Sequence, residues 1–109
     1  MNLVEIIKQD YQNFPHNQTY SIYADQVHFR DPIYNFYGTK KYQAMISFLS
    51  KWFKNLQLEL YEIKQSETQI DTKWRMSWIT PLPWQPSVAV TGRSELMIKD
   101  NLVIGHYDY

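Results

Sequence analysis

The stretch Tyr23–Pro32, YADQVHFRDP, decides the fold, because it combines strand-like alternation with an acid placed directly before a proline. Within it Val27 and Phe29 share one face with Asp31, and the polar residues between them take the other face. Pro32 has no backbone N–H to donate, so the strand ends there. The pattern predicts a half-buried strand that ends in a carboxylate on its apolar face.

The residues before this stretch predict two helices. Asn2 is placed to cap a first helix, which Pro15 ends. Asn17 or Thr19 is placed to cap a second, short helix that runs through Ala24. Apolar residues recur at helical spacing in the first helix: Leu3, Ile6, Ile7, Tyr11 and Phe14.

The residues after it predict a small hairpin and the longest helix. Gly38 closes a loop or hairpin that begins near Tyr34, and Thr39 is placed to cap the helix that follows. The buried stripe of this third helix is predicted to contain Tyr42, Met45, Ile46, Leu49, Trp52 and Phe53.

The rest of the chain predicts strands over residues 56–65, 69–80, 87–99 and 102–109. Trp74, Met76 and Trp78 alternate with polar residues, which gives that strand one apolar face. The segment at 81–86, PLPWQP, is too rich in proline for a central strand, and its Trp84 needs a packing partner. The expected fold is therefore α+β: a single domain over residues 1–109, with three helices on a strongly curved antiparallel sheet in a cone-shaped roll.

Composition narrows the function. The 109 residues include 11 basic and 11 acidic side chains, so there is no net charge to favour nucleic acid or an anionic membrane. The absence of cysteine excludes thiolate nucleophiles and thiolate metal sites. No apolar run approaches the roughly 20 residues of a membrane helix, and no signal peptide is visible. We expect a soluble, cytoplasmic protein without a cofactor or a metal site.

The chain resembles the nuclear transport factor two-like superfamily, which has a cystatin-like roll and includes ketosteroid isomerases and SnoaL-like cyclases. The resemblance rests on YADQVHFRDP before the Gly38 turn. Within that superfamily the chain is most similar to an uncharacterised family of cyanobacteria and plant plastids. That similarity rests on DYQNFPHNQTYSIYA, FRDP, Trp52-Phe53, SWITPLPW, and SEL followed by a final HYDY.

The resemblance implies a pocket and a set of catalytic candidates. Asp31 matches the position of the proton-abstracting carboxylate of ketosteroid isomerases, and Tyr11 and Glu95 lie on elements comparable to those of their hydrogen-bond donors. His106 and Asp108 alternate with tyrosines in the last strand, share a face with Leu102 and Ile104, and resemble the acid–base pairs of SnoaL-like cyclases. For Asp31 the alternative is that it holds the Pro32 turn, and for the pair it is a hydrogen bond within the sheet.

Several side chains are candidates for contact with a ligand. An arginine that faces an aromatic cone can bind a carboxylate or phosphate, so Arg93 is a candidate, although an ion pair with Glu95 is the alternative. An aromatic set, which either walls a flat hydrophobic ligand or simply fills the cone, contains Tyr23, Trp52, Trp74, Trp78 and Tyr107.

Three functions remain open on the sequence. The first is a non-enzymatic or accessory protein that binds a small hydrophobic molecule in the cone. The second is an isomerase or lyase that uses Asp31 to abstract a proton alpha to a carbonyl. The third is a dimeric protein-interaction module with a filled pocket, which pairs through its sheet as superfamily members often do.

Overall fold

The structure is a computed structural model, and it describes residues 2–109. Two α-helices and six strands make up the described chain. In chain order they are α1 (Leu3–Asn13), β1 (Tyr23–Arg30), β2 (Asn35–Tyr37), α2 (Thr39–Trp52), β3 (Lys54–Gln65), β4 (Gln69–Ile79), β5 (Ser87–Lys99) and β6 (Leu102–Asp108). No helix among the described residues is long and apolar enough to cross a membrane.

Helix α1 begins and ends as the sequence predicts. The Asn2 side chain accepts a hydrogen bond from the Glu5 backbone N–H at 2.9 Å, which caps the first turn. Leu3, Ile7 and Tyr11 recur every four residues and are buried, so one face of the helix packs on the sheet.

The predicted second helix is a single 3₁₀ turn over Tyr20–Ile22, and Tyr23 already belongs to β1. Thr19 does not cap it, because the Thr19 hydroxyl donates to Asp10 Oδ1 at 2.8 Å. The Thr39 hydroxyl likewise donates to the Ala24 carbonyl at 2.8 Å, so the position before α2 is taken by Gly38 without a side-chain cap. Both hydroxyls join elements that are distant in sequence instead of closing a local helical turn.

The six strands form one curved sheet in the order β2-β1-β6-β5-β4-β3. The sequence predicted a purely antiparallel sheet, and this is wrong. The sheet is mixed, because β6 inserts between β5 and β1 and runs parallel to β1. Irregularities of register within β3 and between β5 and β6 bend the sheet around the helices. The concave side packs against α1 and α2.

The irregularity in β6 changes which residues face inward. Met97 pairs with Gly105 but Ile98 pairs with Val103, so Ile104 has no partner on β5. Val103 is fully buried, whereas Leu102 and Ile104 are exposed. The expectation that Leu102 and Ile104 share the face of His106 is therefore wrong, since the bulge interrupts the alternation.

Three predicted aromatic positions differ from expectation. Trp52 is 50% exposed at the end of α2, beside Phe48 and outside the interior. Trp78 stacks on Phe53 with ring centroids 5.3 Å apart, toward the far end of the β4–β5 hairpin. Trp84 has no tertiary cover at the tip of that hairpin, where it is 72% exposed.

Candidate functional site

A cavity of about 330 Å³ lies between the two helices and the concave face of the sheet. Its walls are mostly aromatic and aliphatic. They include, from α1 and the loop after it, Ile7, Tyr11 and Phe14; from α2, Tyr42, Met45, Ile46 and Leu49; and from the sheet, Tyr23, Phe29, Leu58, Trp74 and Met76. The cone is therefore open rather than filled by its own side chains.

A chain of polar side chains crosses the sheet face that lines this cavity. Strand pairing places Ser94 beside Thr72 on one side and beside Asp108 on the other. Ser94 Oγ donates to Asp108 Oδ1 at 2.5 Å and accepts from Trp74 Nε1 at 2.8 Å. His106 Nε2 lies 2.7 Å from the same Asp108 oxygen. The predicted pairing of His106 with Asp108 on one face is present.

Tyr11 closes this chain from the helix side. Its hydroxyl lies 2.9 Å from Thr72 Oγ1. Hydrogen bonding to Thr72 and Ser94 lowers the pKa of Tyr11, against the larger effect of burial. Burial raises the pKa of Tyr11 to about 12, so its hydroxyl keeps its proton at neutral pH. Tyr11 thus supplies a neutral hydroxyl to the cavity, and the helix-one position predicted for it is correct.

The imidazole of His106 is enclosed by aromatic rings. Its centroid lies 5.1 Å from Phe29, 5.6 Å from Tyr42 and 6.3 Å from Tyr23. His106 is 6% exposed, and its Nδ1 is buried without a hydrogen-bond partner within residues 2–109. Burial also raises the pKa of the Tyr23 and Tyr42 hydroxyls, which keeps both neutral.

Asp31 lies at the cavity wall, directly after β1. Its Oδ1 accepts backbone hydrogen bonds from Ile33 at 2.8 Å and Tyr34 at 2.5 Å, and its own N–H donates to the Tyr34 carbonyl. The carboxylate therefore ties the turn after Pro32, as the structural alternative requires, while remaining part of the cavity wall.

Asp10 is a third carboxylate in the wall, and the sequence reasoning missed it. Its two oxygens accept from the backbone N–H and the hydroxyl of Thr19, at 3.0 and 2.8 Å. Burial raises the pKa of Asp10, partly offset by these hydrogen bonds. The signal was available, because Asp10 follows Ile7 by three residues and so lies on the buried face of α1.

Four predicted site residues lie on other surfaces. Glu95 and Arg93 point to the convex face, where they form an ion pair at 3.6 Å, because they alternate with the inward-facing Ser94. The Arg93 guanidinium also lies 4.2 Å from the centre of the Tyr109 ring. Tyr107 packs over Gly105 on the same convex face. These three cannot line the cavity, and Trp52 is excluded by its exposure on α2.

The cavity thus brings together Tyr11, Asp31, His106 and Asp108 of the predicted catalytic set, and Tyr23 and Trp74 of the predicted ligand wall. Trp78 lies outside it, because the sheet carries that residue past the cavity toward Phe53. Ser94 was missed, although its alternation with Arg93 and Glu95 was a usable signal. Within residues 2–109 no three histidine, aspartate or glutamate side chains gather as a metal site requires.

Comparison with protein families gives one match. A family model described as an uncharacterized conserved protein (DUF2358) matches residues 1–106. A comparison with curated proteins gives no match.

Solved structures show the same fold at low sequence identity. A hypothetical protein with a ketosteroid isomerase-like fold from Catenulispora acidiphila, in complex with trimethylamine, has a TM-score of 0.81 at 12% identity, covering 100% of this chain and 86% of that one. A putative SnoaL-like polyketide cyclase from Jannaschia also scores 0.81, at 13% identity, with coverage of 97% and 83%. An NTF2-like protein from Anabaena variabilis scores 0.75 at 12% identity, with coverage of 97% and 81%. The predicted nuclear transport factor two-like fold is confirmed.

Proposed function

The chain belongs to the DUF2358 family, and from its cavity we propose that it binds a small, largely apolar molecule in a non-enzymatic or accessory role. The observation that carries the proposal is the open cavity, whose mostly aromatic and aliphatic walls contain a chain of polar side chains at Ser94, Asp108 and His106. Its volume of about 330 Å³ falls at the lower end of the range of small-molecule sites.

The composition of the walls supports binding over catalysis. Small-molecule sites combine apolar walls with a few polar groups that orient the ligand, and this cavity has that composition. The Catenulispora neighbour is described in complex with trimethylamine, so a protein of this fold holds a small molecule. That likeness supports the fold's capacity to hold a ligand, while the identity of the ligand has to come from this chain's own residues.

The proposal predicts that a neutral apolar fluorophore, N-phenyl-1-naphthylamine, binds with a rise in emission. Met76 lines the cavity, so Met76→Trp should fill part of it and weaken probe binding by about tenfold or more. Arg75 precedes it on the opposite, exposed face, so Arg75→Trp adds the same indole outside and should leave the affinity within about twofold. Fluorescence titration of the three proteins measures both effects.

Two results would overturn the proposal. One is the absence of probe binding to the folded wild-type protein, and the other is equal weakening by Met76→Trp and Arg75→Trp. Native mass spectrometry of protein purified from its own host is the complementary measurement, because it detects a retained ligand and reports the oligomeric state together.

The rival function, an isomerase or lyase with Asp31 as general base, has less support. Asp31 does lie at the cavity, but two backbone N–H groups already bind its Oδ1, so that oxygen is engaged in holding the turn. Enolisation also requires donors aimed at the developing oxyanion. The nearby donors Trp74 Nε1 and Ser94 Oγ are both engaged within the protein, and the Tyr11 hydroxyl is paired with Thr72 Oγ1. Turnover of a carbonyl substrate that Asp31→Asn abolishes would favour this rival.

The interaction module with a filled pocket has the least support, since the cavity is open. A homodimer through the sheet remains a prediction, as do a cytoplasmic location and an origin in cyanobacteria or plastids. Sedimentation of the purified protein tests the dimer directly.

A further inference from the structure

We infer that the polar end of the ligand is a cationic amine or ammonium group held against Asp108. This inference rests on the proposed function and adds the chemical class of the molecule. It follows from three independent properties of the cavity: the sign of the charges in its walls, the kind of hydrogen-bonding capacity left free, and the faces of its aromatic rings.

The charged side chains in the cavity wall are all acidic. The wall contains Asp10, Asp31 and Asp108, and no lysine or arginine among the described residues lines it. Neither of the neighbouring arginines of the sheet lines it: Arg30 lies 4.9 Å from the centre of the Tyr107 ring, and Arg93 lies 4.2 Å from the centre of the ring of Tyr109, which is itself a wall residue. A concave, low-dielectric site with one sign of charge concentrates ligands of the opposite sign. A carboxylate or phosphate ligand would be repelled here.

Two acceptors in the wall remain free for donors on the ligand, and the first of them belongs to Asp108. Trp74 Nε1 donates to Ser94, and Ser94 Oγ donates to Asp108. Both hydrogen bonds that Asp108 accepts end on Oδ1, which leaves Oδ2 available, and the Asp108 side chain is 23% exposed.

His106 gives the second, independent indication. With Nε2–H donating to Asp108, the buried Nδ1 is an acceptor without a donor partner within residues 2–109. A buried acceptor without a partner destabilises the folded protein, and a donor supplied by a ligand would satisfy it. An ammonium group carries N–H donors, and both free acceptors in the wall suit them.

The aromatic rings add an interaction that prefers cations. Tyr23, Phe29 and Tyr42 surround His106 at centroid distances of 5.1 to 6.3 Å, and Trp74 lies beside Ser94 on the same wall. The faces of such rings attract a cation within about 6 Å. The Asp108 carboxylate and the rings around the neighbouring His106 together form a site for an alkyl- or arylammonium group.

The test uses probes of matched shape. 2-Phenylethylammonium, which carries N–H donors, and propylbenzene differ by the exchange of a charged nitrogen for carbon, and 3-phenylpropanoate supplies an anion of similar size. Each displaces N-phenyl-1-naphthylamine from the wild-type protein, which measures its affinity. We expect the cation to bind about tenfold or more tightly than the neutral isostere, and the anion to bind weakest.

Two variants test whether the charge of Asp108 causes the preference for the cation. Asp108→Asn keeps the acceptor for Ser94 and His106 and removes the charge, so the cation should lose about tenfold in affinity while the neutral isostere changes little. Glu95→Gln removes a carboxylate from the same sheet on its convex face and serves as the matched control, with no change expected.

The outcomes separate this inference from the proposed function. Equal affinities, or a preference for the anion, would overturn the cation site while the fluorophore still shows a binding cavity. A cation preference that survives Asp108→Asn would also overturn it, because the charge would then lie elsewhere. Failure of the fluorophore itself to bind would overturn the proposed function together with this inference.

Discussion

The carboxylate of Asp31 accepts two backbone hydrogen bonds through one oxygen, and these hold the turn after β1. Asp31→Ala removes both, and we expect the free energy of unfolding to fall by about 1–2 kcal/mol. Asp31→Asn keeps an oxygen acceptor at that position and should lose less than about 1 kcal/mol. Urea unfolding followed by circular dichroism measures both, and equal losses in the two variants would contradict the hydrogen-bonding role.

The Asp31→Asn variant also tests whether the Asp31 carboxylate contributes to ligand binding. Because the carboxylate is engaged by its own turn, affinity for N-phenyl-1-naphthylamine should remain within about twofold in Asp31→Asn. Strand alternation was sufficient to place Asp31 at the cavity. It could not show the bonds from Ile33 and Tyr34, because they depend on how the chain turns after Pro32.

Gly92 of β5 is paired with Trp74 of β4, and the Trp74 indole lies directly against it. A Cβ added at Gly92 would lie 2.6 Å from Trp74 Cη2 and 2.8 Å from the Tyr109 carbonyl oxygen. Trp74 cannot turn aside freely, because its Nε1 is bonded to Ser94 at 2.8 Å. We expect Gly92→Ala to lower the free energy of unfolding by about 1–3 kcal/mol and to alter the near-ultraviolet circular dichroism of tryptophan.

Ser87→Ala, at the exposed start of β5, is the control and should stay within about 0.5 kcal/mol of wild type. If Gly92→Ala unfolds at the wild-type urea concentration with an unchanged tryptophan spectrum, then the packing of the Trp74 indole against Gly92 is not what holds Trp74 in the cavity wall.

At the level of helices and strands, local sequence patterns predicted most of the elements. They failed where contacts between residues distant in sequence determine the structure. The strand over residues 87–99 is as predicted, and α2 begins at Thr39, one residue earlier than a cap at Thr39 would give. The short second helix was wrong, because Thr19 bonds to Asp10 across the loop. The bulge at Ile104 could not be predicted, because the sequence of β6 alternates as in a regular strand. The irregularity lies in the pairing of β6 with β5.

Over the whole molecule the net charge is zero, but acidic and basic side chains lie in different places. The 11 acidic and 11 basic residues cancel, which is why composition predicted neither nucleic acid nor an anionic membrane as a partner. The fold then places Asp10, Asp31 and Asp108 in the cavity wall and leaves the arginines of the sheet outside. Net charge therefore describes the average surface and carries no information about the interior of a cavity.

An open cavity also links ligand binding to the stability of the entire domain. A ligand that binds only the folded state, present at about ten times its Kd, raises the free energy of unfolding by about 1.4 kcal/mol. For a domain of this size the midpoint of thermal unfolding should rise by roughly 5 to 10 °C. Circular dichroism melts of the wild type with and without N-phenyl-1-naphthylamine measure this shift.

The Met76→Trp and Arg75→Trp pair shows where that stabilisation originates. At the same probe concentration Arg75→Trp should keep the shift, because the added indole lies on the exposed face. Met76→Trp should lose most of it, because a tenfold weaker Kd brings the probe to about its Kd and leaves roughly 0.4 kcal/mol. A shift that is the same in both variants would mean that the probe binds the outer surface, so that the cavity does not couple ligand binding to folding.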